Sequence, residues 1–454
     1  MRVTVSTLTR LRSCVAAVAV VFSVMASTAV SAEPKIAARN GVFFDRDLQV
    51  EVTGAPPRAM VTLEAEAVDA AGQTWRSKNA YATDAEGRVD LARDAPIEGT
   101  YEGAHAAGPF WSMTGARRFV TTRGDATLVL RLSQGASVLA ERTVAWRSPV
   151  GAAGVEVVSI RSKALTANYY RPKERDELHP AILLLGGSGG GFNTERAALL
   201  ATHGFAVLDV AYFDAPGRPV HFLESQPLEY FMGALDWLET RGEVDAGAIA
   251  VMGKSYGAQL ALVLASYEPR LRAVVAEAGS SFVTGTSATL PEGPYQSAWS
   301  VGGEELAFLR SGAAGIAPVN PKQILITGSG AVAVRAGGRA SAAAIPVERI
   351  NGHVLLLSGS ADGLWESSQM ADQVLERLNA NGFAFEAAHR AYEDAGHNLG
   401  GGQQAYGVPN LPPKDRGQGP GGTRQGNSVA AVDAWVATLN FLNSHLRGDD
   451  GGAE

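Results

Sequence analysis

A serine between two glycines, followed far along the chain by an aspartate and a histidine, is the feature of this sequence that could do chemistry. Ser255 lies in the stretch GKSYG (253–257), which has the pattern G-x-S-x-G. A serine hydroxyl is a poor nucleophile unless an imidazole takes its proton, and the imidazole needs a carboxylate to fix its tautomer. Asp362 and His397 are the candidates for these two roles.

The elements before these residues predict how they are brought together. Apolar runs typical of buried strands precede each of them: "AIAVM" before Ser255, "HVLLLSGSA" before Asp362 and "FEAAHRAYEDAG" before His397. Helical patterns separate the runs, which predicts a mostly parallel sheet covered by helices on both faces. Ligands of such sheets bind beyond the carboxyl ends of the strands. The chain order Ser, Asp, His is that of α/β-hydrolases, so we predict a catalytic triad in that fold.

A second requirement is a set of amide donors for the oxyanion of a tetrahedral intermediate. The run "AILLL" ends in the glycine-rich loop GGSGGG (186–191), at another predicted strand end. We therefore expect the oxyanion hole to consist of the Tyr256 amide, at the start of a helix, and an amide of Gly187 or Ser188.

Other polar residues receive structural interpretations. Asp394 lies too close to His397 along the chain and is expected to cap a loop. Asp209 lies inside a strand and is expected to be hydrogen-bonded at the sheet end, and His353 is expected to be a satisfied structural histidine. The glycine loop lacks the spacing of a P-loop or Rossmann fingerprint, and the chain has no H-x-x-x-H pattern. We therefore expect no cofactor and no metal.

The chain divides into two regions by its patterns. Residues 33–149 alternate apolar and polar residues in runs such as "DLQVEVTG" and "AMVTLEAEAVD", which predicts a β-sandwich without a catalytic constellation. Residues 150–454 carry the α/β pattern. Within them, 283–345 is rich in Gly, Ala, Ser and Pro and is predicted to be an insertion over the carboxyl ends of the strands.

The first 32 residues have the features of a secretory signal peptide. Three arginines precede the apolar stretch "CVAAVAVVFSVMAS", and "VSAEP" offers a cleavage point after Ala32. A membrane anchor is the alternative, but the apolar stretch is short for a span. The sequence thus predicts a periplasmic or secreted bacterial protein without a stable membrane span after cleavage.

Composition narrows the function further. The chain of 454 residues has a formal net charge of −7, and removal of the predicted signal peptide makes it more acidic. Such a charge argues against nucleic acid as a partner. The one cysteine, Cys14, lies in the predicted signal peptide, which excludes a cysteine nucleophile and disulfides from the mature chain. The oligomeric state is left open.

Several long stretches of the chain together identify a family resemblance. In the N-terminal region the stretch is "TWRSKNAYATDAEGRVDLARDAPIEGTYEGAHAAGPFWSM" (74–113). In the C-terminal region the stretches are "LEYFMGALDWL", "MGKSYGAQLALVLASY", "IPVERINGHVLLLSGSADGLWES", "YEDAGHNL" and "GGTRQGNSVAAVDAWVATLNFLNSHL". Through them the chain resembles the acyl-CoA thioesterase / bile acid-CoA:amino acid N-acyltransferase family over nearly all of its predicted mature length, and the resemblance implies a small-molecule acyl thioester or ester as the partner.

This resemblance implies an immunoglobulin-like N-terminal domain followed by an α/β-hydrolase domain. It also implies a triad carried by Ser255, Asp362 and His397, which cleaves an acyl thioester such as a fatty acyl-CoA. The N-acyltransferase members use cysteine, so serine favours hydrolysis over transfer to an amine. A carboxylesterase or amidase acting outside the cytoplasm, and a non-catalytic binding protein on a hydrolase scaffold, are the alternatives.

Overall fold

The structure, a computed structural model, describes residues 33–43, 48–69, 71–115, 125–174, 177–213, 215, 223–285, 296–311, 325–326, 342–399 and 420–447. The predicted signal peptide, 1–32, lies outside the described residues. Most of the predicted insertion, 283–345, also lies outside them.

The N-terminal region is built from strands whose alternating pattern buries one face. Its strands are β1 (Lys35–Ala37), β2 (Val42–Phe43), β3 (Glu51–Thr53), β4 (Met60–Val68), β5 (Thr74–Ala82), β6 (Val89–Asp90), β7 (Glu98–Gly99), β8 (Ala126–Gln134) and β9 (Ser137–Arg147), with one short helix, α1 (Gly108–Trp111). They form one sheet of order β2-β9-β8-β4-β5-β7 and a second of order β1-β3-β6. Side chains of both sheets, such as Val52 and Leu63, share one core, as predicted for a β-sandwich.

The strands of the rest of the chain are longer apolar runs separated by helices. The strands are β10 (Val155–Arg161), β11 (Thr166–Pro172), β12 (His179–Leu185), β13 (Ala206–Val210), β14 (Gln226–Pro227), β15 (Val244–Lys254), β16 (Leu271–Glu277), β17 (Trp299–Val301), β18 (Glu304–Glu305), β19 (Arg310–Ser311), β20 (Leu325–Ile326), β21 (His353–Gly359) and β22 (Ala387–Tyr392). The helices are α2 (Thr194–Thr202), α3 (Leu228–Glu239), α4 (Tyr256–Tyr267), α5 (Ser367–Ala380) and α6 (Arg424–Leu446), with a 3-10 turn at Val347–Arg349. None of the helices within the described ranges is long and apolar enough to cross a membrane.

Eight of these strands form one sheet in the order β10-β11-β13-β12-β15-β16-β21-β22. The first three pair antiparallel, and the others pair parallel. Helices α3, α4 and α5 pack on one face, and α2 and α6 pack on the other. Because helices cover both faces, central strands such as β12 are buried along their whole length. The predicted α/β-hydrolase architecture is confirmed.

The described parts of 283–345 lie against the first turns of α4. Tyr256 Oη donates a hydrogen bond to Gly285 O at 3.0 Å. Farther along the helix, Gln259 Oε1 accepts from Trp299 Nε1 at 2.8 Å, and Gln259 Nε2 donates to Thr284 Oγ1 at 2.8 Å. These buried polar contacts attach this part of the segment to the helix that follows Ser255.

Candidate active site

The turn between β15 and α4 explains why its sequence is G-x-S-x-G. Ser255 has φ 56° and ψ −122°, a strained conformation that is uncommon for a residue with a side chain. A Cβ at Gly253 would lie 2.1 Å from Gly257 O, and a Cβ at Gly257 would lie 2.2 Å from Gly186 O. Both glycines are therefore required by close backbone approach, and Ser255 is held at the tip of a sharp turn.

The three predicted triad residues lie within hydrogen-bonding distance of one another. His397 Nε2 lies 2.8 Å from Ser255 Oγ, and His397 Nδ1 lies 2.8 Å from Asp362 Oδ2. The side chains of His397 and Asp362 are 5% and 1% exposed. With Nδ1 protonated toward the carboxylate, Nε2 can accept the serine proton. This is the arrangement that general-base activation of a serine requires.

The Asp362 carboxylate is oriented by groups of its own loop. Its Oδ1 accepts from the amides of Leu364 at 2.9 Å and Trp365 at 3.3 Å. Its Oδ2 accepts from Ser367 Oγ at 2.7 Å, in addition to the bond with His397. These donors fix the orientation of the carboxylate and thereby the oxygen that faces the imidazole.

The loops that carry Asp362 and His397 are joined by a third segment just before α6. The amides of His397 and Gly363 both donate to Pro420 O, at 2.6 and 3.2 Å. Thr423 N donates to Asp394 O at 2.7 Å. The segment 420–423 thus pairs with the acid loop on one side and with the histidine loop on the other, which fixes the distance between them.

A buried ion pair lies behind the nucleophile. Glu277, at the end of β16, accepts from Arg196 Nη1 on α2 at 2.7 Å, and its backbone carbonyl accepts from Ser255 N at 2.8 Å. Lys254 Nζ donates to Asn398 Oδ1 at 2.8 Å, one residue after His397. These contacts connect the serine turn both to the neighbouring strand and to the histidine loop.

The helix start and the glycine loop that carry the predicted oxyanion donors both lie beside Ser255. Tyr256 is the first residue of α4, and the first amides of a helix point out of its N-terminus. A Cβ added to Gly187 would lie 3.4 Å from the Ser255 Cβ, so the glycine loop passes directly beside the nucleophile. Ser188 follows as an exposed residue. An acyl carbonyl attacked by Ser255 would thus form its oxyanion between the loop and the helix N-terminus.

Residues given structural interpretations from the sequence lie where their surroundings satisfy them. Asp394 is exposed, with φ 55° in a turn, and its amide donates to Ser360 Oγ at 3.1 Å. Asp209 is fully buried, and both its oxygens accept from Asn193 N. Burial raises the pKa of Asp209 to about 7.

One group of possible metal ligands occurs among the described residues, at the opposite end of β21: His353, Glu386 and His445. The Nδ1 of His353 accepts a hydrogen bond from Glu386 N at 3.2 Å, so the neutral ring carries its proton on Nε2. The rings of His353 and His445 stack with centroids 3.7 Å apart. This arrangement leaves neither ring nitrogen of His353 a free lone pair for a metal.

The sequence interpretation did not identify three side chains around the site. Ser367 and Trp365 hold the acid loop, and Trp365 also contacts the His397 ring edge-to-face at 5.5 Å between centroids. Tyr212 lies beneath the glycine loop and donates to its carbonyls. A serine five residues after the acid, at the start of a helix, was the available signal for Ser367.

Comparisons with known proteins find relatives that align with nearly the whole chain. Acyl-coenzyme A thioesterase 1 of Rattus norvegicus is 29% identical over 431 residues, which cover 90% of this chain and 96% of the relative. Peroxisomal succinyl-coenzyme A thioesterase of Mus musculus is 28% identical over 418 residues, covering 89% and 94%. Among solved structures, the uncomplexed acylaminoacyl peptidase of Pyrococcus horikoshii aligns with a TM-score of 0.44 at 12% identity, over 84% of this chain and 56% of that one.

Two family signatures match in the expected order. Residues 45–148 match the acyl-CoA thioester hydrolase/BAAT N-terminal region. Residues 226–448 match the BAAT / acyl-CoA thioester hydrolase C-terminal region, which contains all three triad positions. The chain therefore belongs to the family of acyl-CoA thioester hydrolases and bile acid-CoA:amino acid N-acyltransferases.

Proposed function

We propose that this protein hydrolyses acyl thioesters of the fatty acyl-CoA type through an acyl-enzyme on Ser255. The observation that supports this most is the unbroken Ser255–His397–Asp362 hydrogen-bond chain in a member of a thioesterase family. The mammalian relatives named acyl-coenzyme A thioesterases point to the same bond type.

The reaction proceeds in two acyl transfers. Ser255 Oγ attacks the thioester carbonyl carbon while its proton passes to His397 Nε2. The tetrahedral oxyanion collapses, the C–S bond breaks, and His397 returns the proton to the leaving sulfur. A water molecule then attacks the acyl-enzyme, again giving a proton to His397, and the carboxylic acid leaves as Ser255 recovers its proton. Asp362 stabilises the imidazolium in both halves.

Hydrolysis of purified protein against a panel of substrates tests the proposal. Acyl-CoAs of increasing chain length are followed by the free thiol released, beside p-nitrophenyl esters of the same acyl groups. We expect turnover of at least one acyl thioester, and its loss in Ser255→Ala. Near-wild-type turnover by Ser255→Ala on every substrate would overturn the proposal.

A second candidate is a carboxylesterase or amidase that acts outside the cytoplasm on another acyl compound, or that transfers the acyl group to an amine. The predicted signal peptide favours it, because CoA esters are scarce outside the cytoplasm. The same triad would serve, so the two candidates differ only in leaving group and acceptor. A higher kcat/KM for oxygen esters than for matched thioesters, or amide formation in the presence of glycine or taurine, would favour this candidate.

Export itself is a separate proposal, based on the basic start and apolar stretch of residues 1–32. Cleavage after Ala32 would give a mature protein that begins at Glu33. N-terminal sequencing of material recovered outside the cytoplasm tests this, and a retained Met1 would contradict it.

A further inference from the structure

The glycine loop after β12 is held from below by a buried tyrosine. Tyr212 Oη lies 2.5 Å from Gly186 O and 2.8 Å from Gly187 O. A phenol has one proton and a carbonyl only accepts, so the two carbonyls share that proton. The backbone takes part as well, because Tyr212 N donates to Gly190 O at 3.0 Å. One residue thus contacts both the start and the middle of the loop.

The far end of the loop is held by the buried side chain of Asp209, three residues before Tyr212 in the sequence. Asn193, which precedes the first residue of α2, donates its amide to Asp209 Oδ1 at 3.0 Å and Oδ2 at 2.8 Å. Because Asn193 immediately precedes α2, the same Asp209 side chain anchors both the end of the loop and the start of that helix. The segment 209–213 therefore holds residues 186–193 at both ends.

By fixing the carbonyl groups of the loop, these contacts also fix the direction of the N–H groups that follow them. In a trans peptide the C=O and N–H point in opposite directions. The Gly186 and Gly187 carbonyls point down to Tyr212 in the core, so the N–H groups of Gly187 and Ser188 point the other way. Gly187 lies beside Ser255. The tyrosine thereby turns two amides toward the place where an oxyanion would form.

The surroundings of Tyr212 suit a fixed donor rather than a titrating or mobile group. Its side chain is fully buried and packs edge-to-face against Phe213 and Phe231, with centroids 5.3 and 5.5 Å away. Burial raises the pKa of the Tyr212 phenol far above its ordinary value, so the hydroxyl stays protonated. Gly190, with φ 58°, is in such close contact that a Cβ would lie 2.3 Å from the Phe213 ring.

We propose that Tyr212 and Asp209 are positioning residues that hold the 186–193 loop with its amides facing the oxyanion formed at Ser255. This rests on the proposed function, since it assigns a role within the same site. Neither residue touches the substrate. Both act through the loop, and their effect is on the transition state rather than on substrate binding.

Tyr212→Phe and Asp209→Asn test the inference, with Tyr169→Phe as the matched control. Tyr169 is a buried tyrosine of the same sheet whose hydroxyl donates to Glu243 Oε1 at 3.1 Å, away from the loop. We expect Tyr212→Phe to lower kcat about 10- to 100-fold, less than or similar to the loss of one oxyanion donor, with KM nearly unchanged. Asp209→Asn keeps one acceptor oxygen and should lose less activity than Asp209→Leu, which keeps none.

A second readout avoids dependence on a particular substrate. A fluorophosphonate reacts with an activated serine through a similar oxyanion, so its labelling rate at Ser255 should fall with kcat in Tyr212→Phe and stay unchanged in Tyr169→Phe. The melting temperatures of Tyr212→Phe and Tyr169→Phe measure how much stability each variant loses with its hydroxyl group. A merely structural role would lower both melting temperatures without separating the two labelling rates.

The outcomes distinguish this inference from the proposed function. If Ser255→Ala abolishes turnover and labelling while Tyr212→Phe behaves as Tyr169→Phe does, the positioning role is wrong and the serine mechanism stands. If Ser255→Ala retains activity, or wild-type protein is not labelled at Ser255, the proposed function fails and the positioning role fails with it.

Discussion

At the residue scale, the triad assignment distinguishes Asp362, which contacts His397 in the fold, from Asp394, which lies near His397 only in sequence. Asp362→Asn should lower kcat on the order of 10⁴, because an asparagine amide favours the wrong histidine tautomer. His397→Ala removes the base and should lower kcat by a factor of roughly 10⁴ to 10⁶. Steady-state kinetics on the best substrate measure both.

Asp394→Asn is the control for this prediction. Asp394 is exposed and uses its backbone, not its carboxylate, in the contacts with Ser360 and Thr423. We expect the kcat of Asp394→Asn to stay close to that of wild type. A loss in Asp394→Asn as large as that in Asp362→Asn would show that the wrong aspartate was assigned.

Asp209 gives a prediction for stability rather than rate. Burial raises its pKa to about 7, above the value of about 4 for an unfolded chain. The folded protein therefore binds a proton that the unfolded chain has released between these pH values, and this contribution to stability is lost as pH rises through about 7. The hydrogen bond from Asn193 N and, to a smaller extent, the charge of Arg161 lower the pKa of Asp209, but they do not cancel the effect of burial.

Asp209→Asn removes this titration. Because wild type loses this stabilisation as pH rises and the variant does not, the free energy of unfolding of the variant minus that of wild type should increase from pH 5 to pH 8. Urea unfolding at the two pH values measures the difference. An identical difference at both would mean that Asp209 ionises in the folded protein as it does in the unfolded chain.

At the element scale, α2 is joined to the end of β16 by the Arg196–Glu277 pair, whose side chains are 13% and 2% exposed. Arg196→Met should destabilise the protein by about 3 kcal/mol, because it removes the cation 2.7 Å from the buried Glu277 carboxylate and leaves Lys254 Nζ at 4.0 Å. The double variant Arg196→Met/Glu277→Gln should recover part of the loss. Urea unfolding measures both.

An exposed pair provides the comparison for this prediction. Arg131 and Glu141 lie 2.7 Å apart on the N-terminal sheet with side chains 46% and 48% exposed. Solvent screens such pairs, so Arg131→Met should cost less than about 1 kcal/mol. Equal losses in Arg131→Met and Arg196→Met would contradict the role given to burial.

The elements also show what the sequence could and could not predict. Strand ends place Ser255, Asp362 and His397 together because parallel strands present their carboxyl ends at one edge, and this follows from pattern alone. The close contact that requires glycine at 257 cannot be read from the pattern, because it is made by Gly186 O, which follows a different strand of the sheet. Tyr212 was likewise not predicted, because an apolar run gives no sign of which hydroxyl meets a loop carbonyl.

At the scale of the whole molecule, the N-terminal sandwich touches the hydrolase region next to the triad loops. Arg424, the first residue of α6, donates from Nη2 to Trp111 O at 3.1 Å and to Met113 O. The side-chain amide of Gln425 pairs with the Glu102 backbone, donating to Glu102 O at 3.0 Å. Both follow directly on the 420–423 segment that joins the acid and histidine loops. The segment 420–423 and the two residues that follow it thus connect the sandwich to the loops that carry Asp362 and His397.

Arg424→Ala tests whether this connection contributes to stability and to the site. The Arg424 guanidinium is poorly solvated, and this burial lowers its pKa. Its hydrogen bonds to the two carbonyls therefore form where water competes little for them. Removing them should cost about 1 to 3 kcal/mol, because buried carbonyls lose their donor. Calorimetry should show a lower melting temperature and a sandwich that unfolds separately from the hydrolase region.

Arg390→Ala, which breaks the exposed pair with Asp433, is the control and should change little. Coincident unfolding of both regions in Arg424→Ala, at the wild-type temperature, would show that other contacts join them.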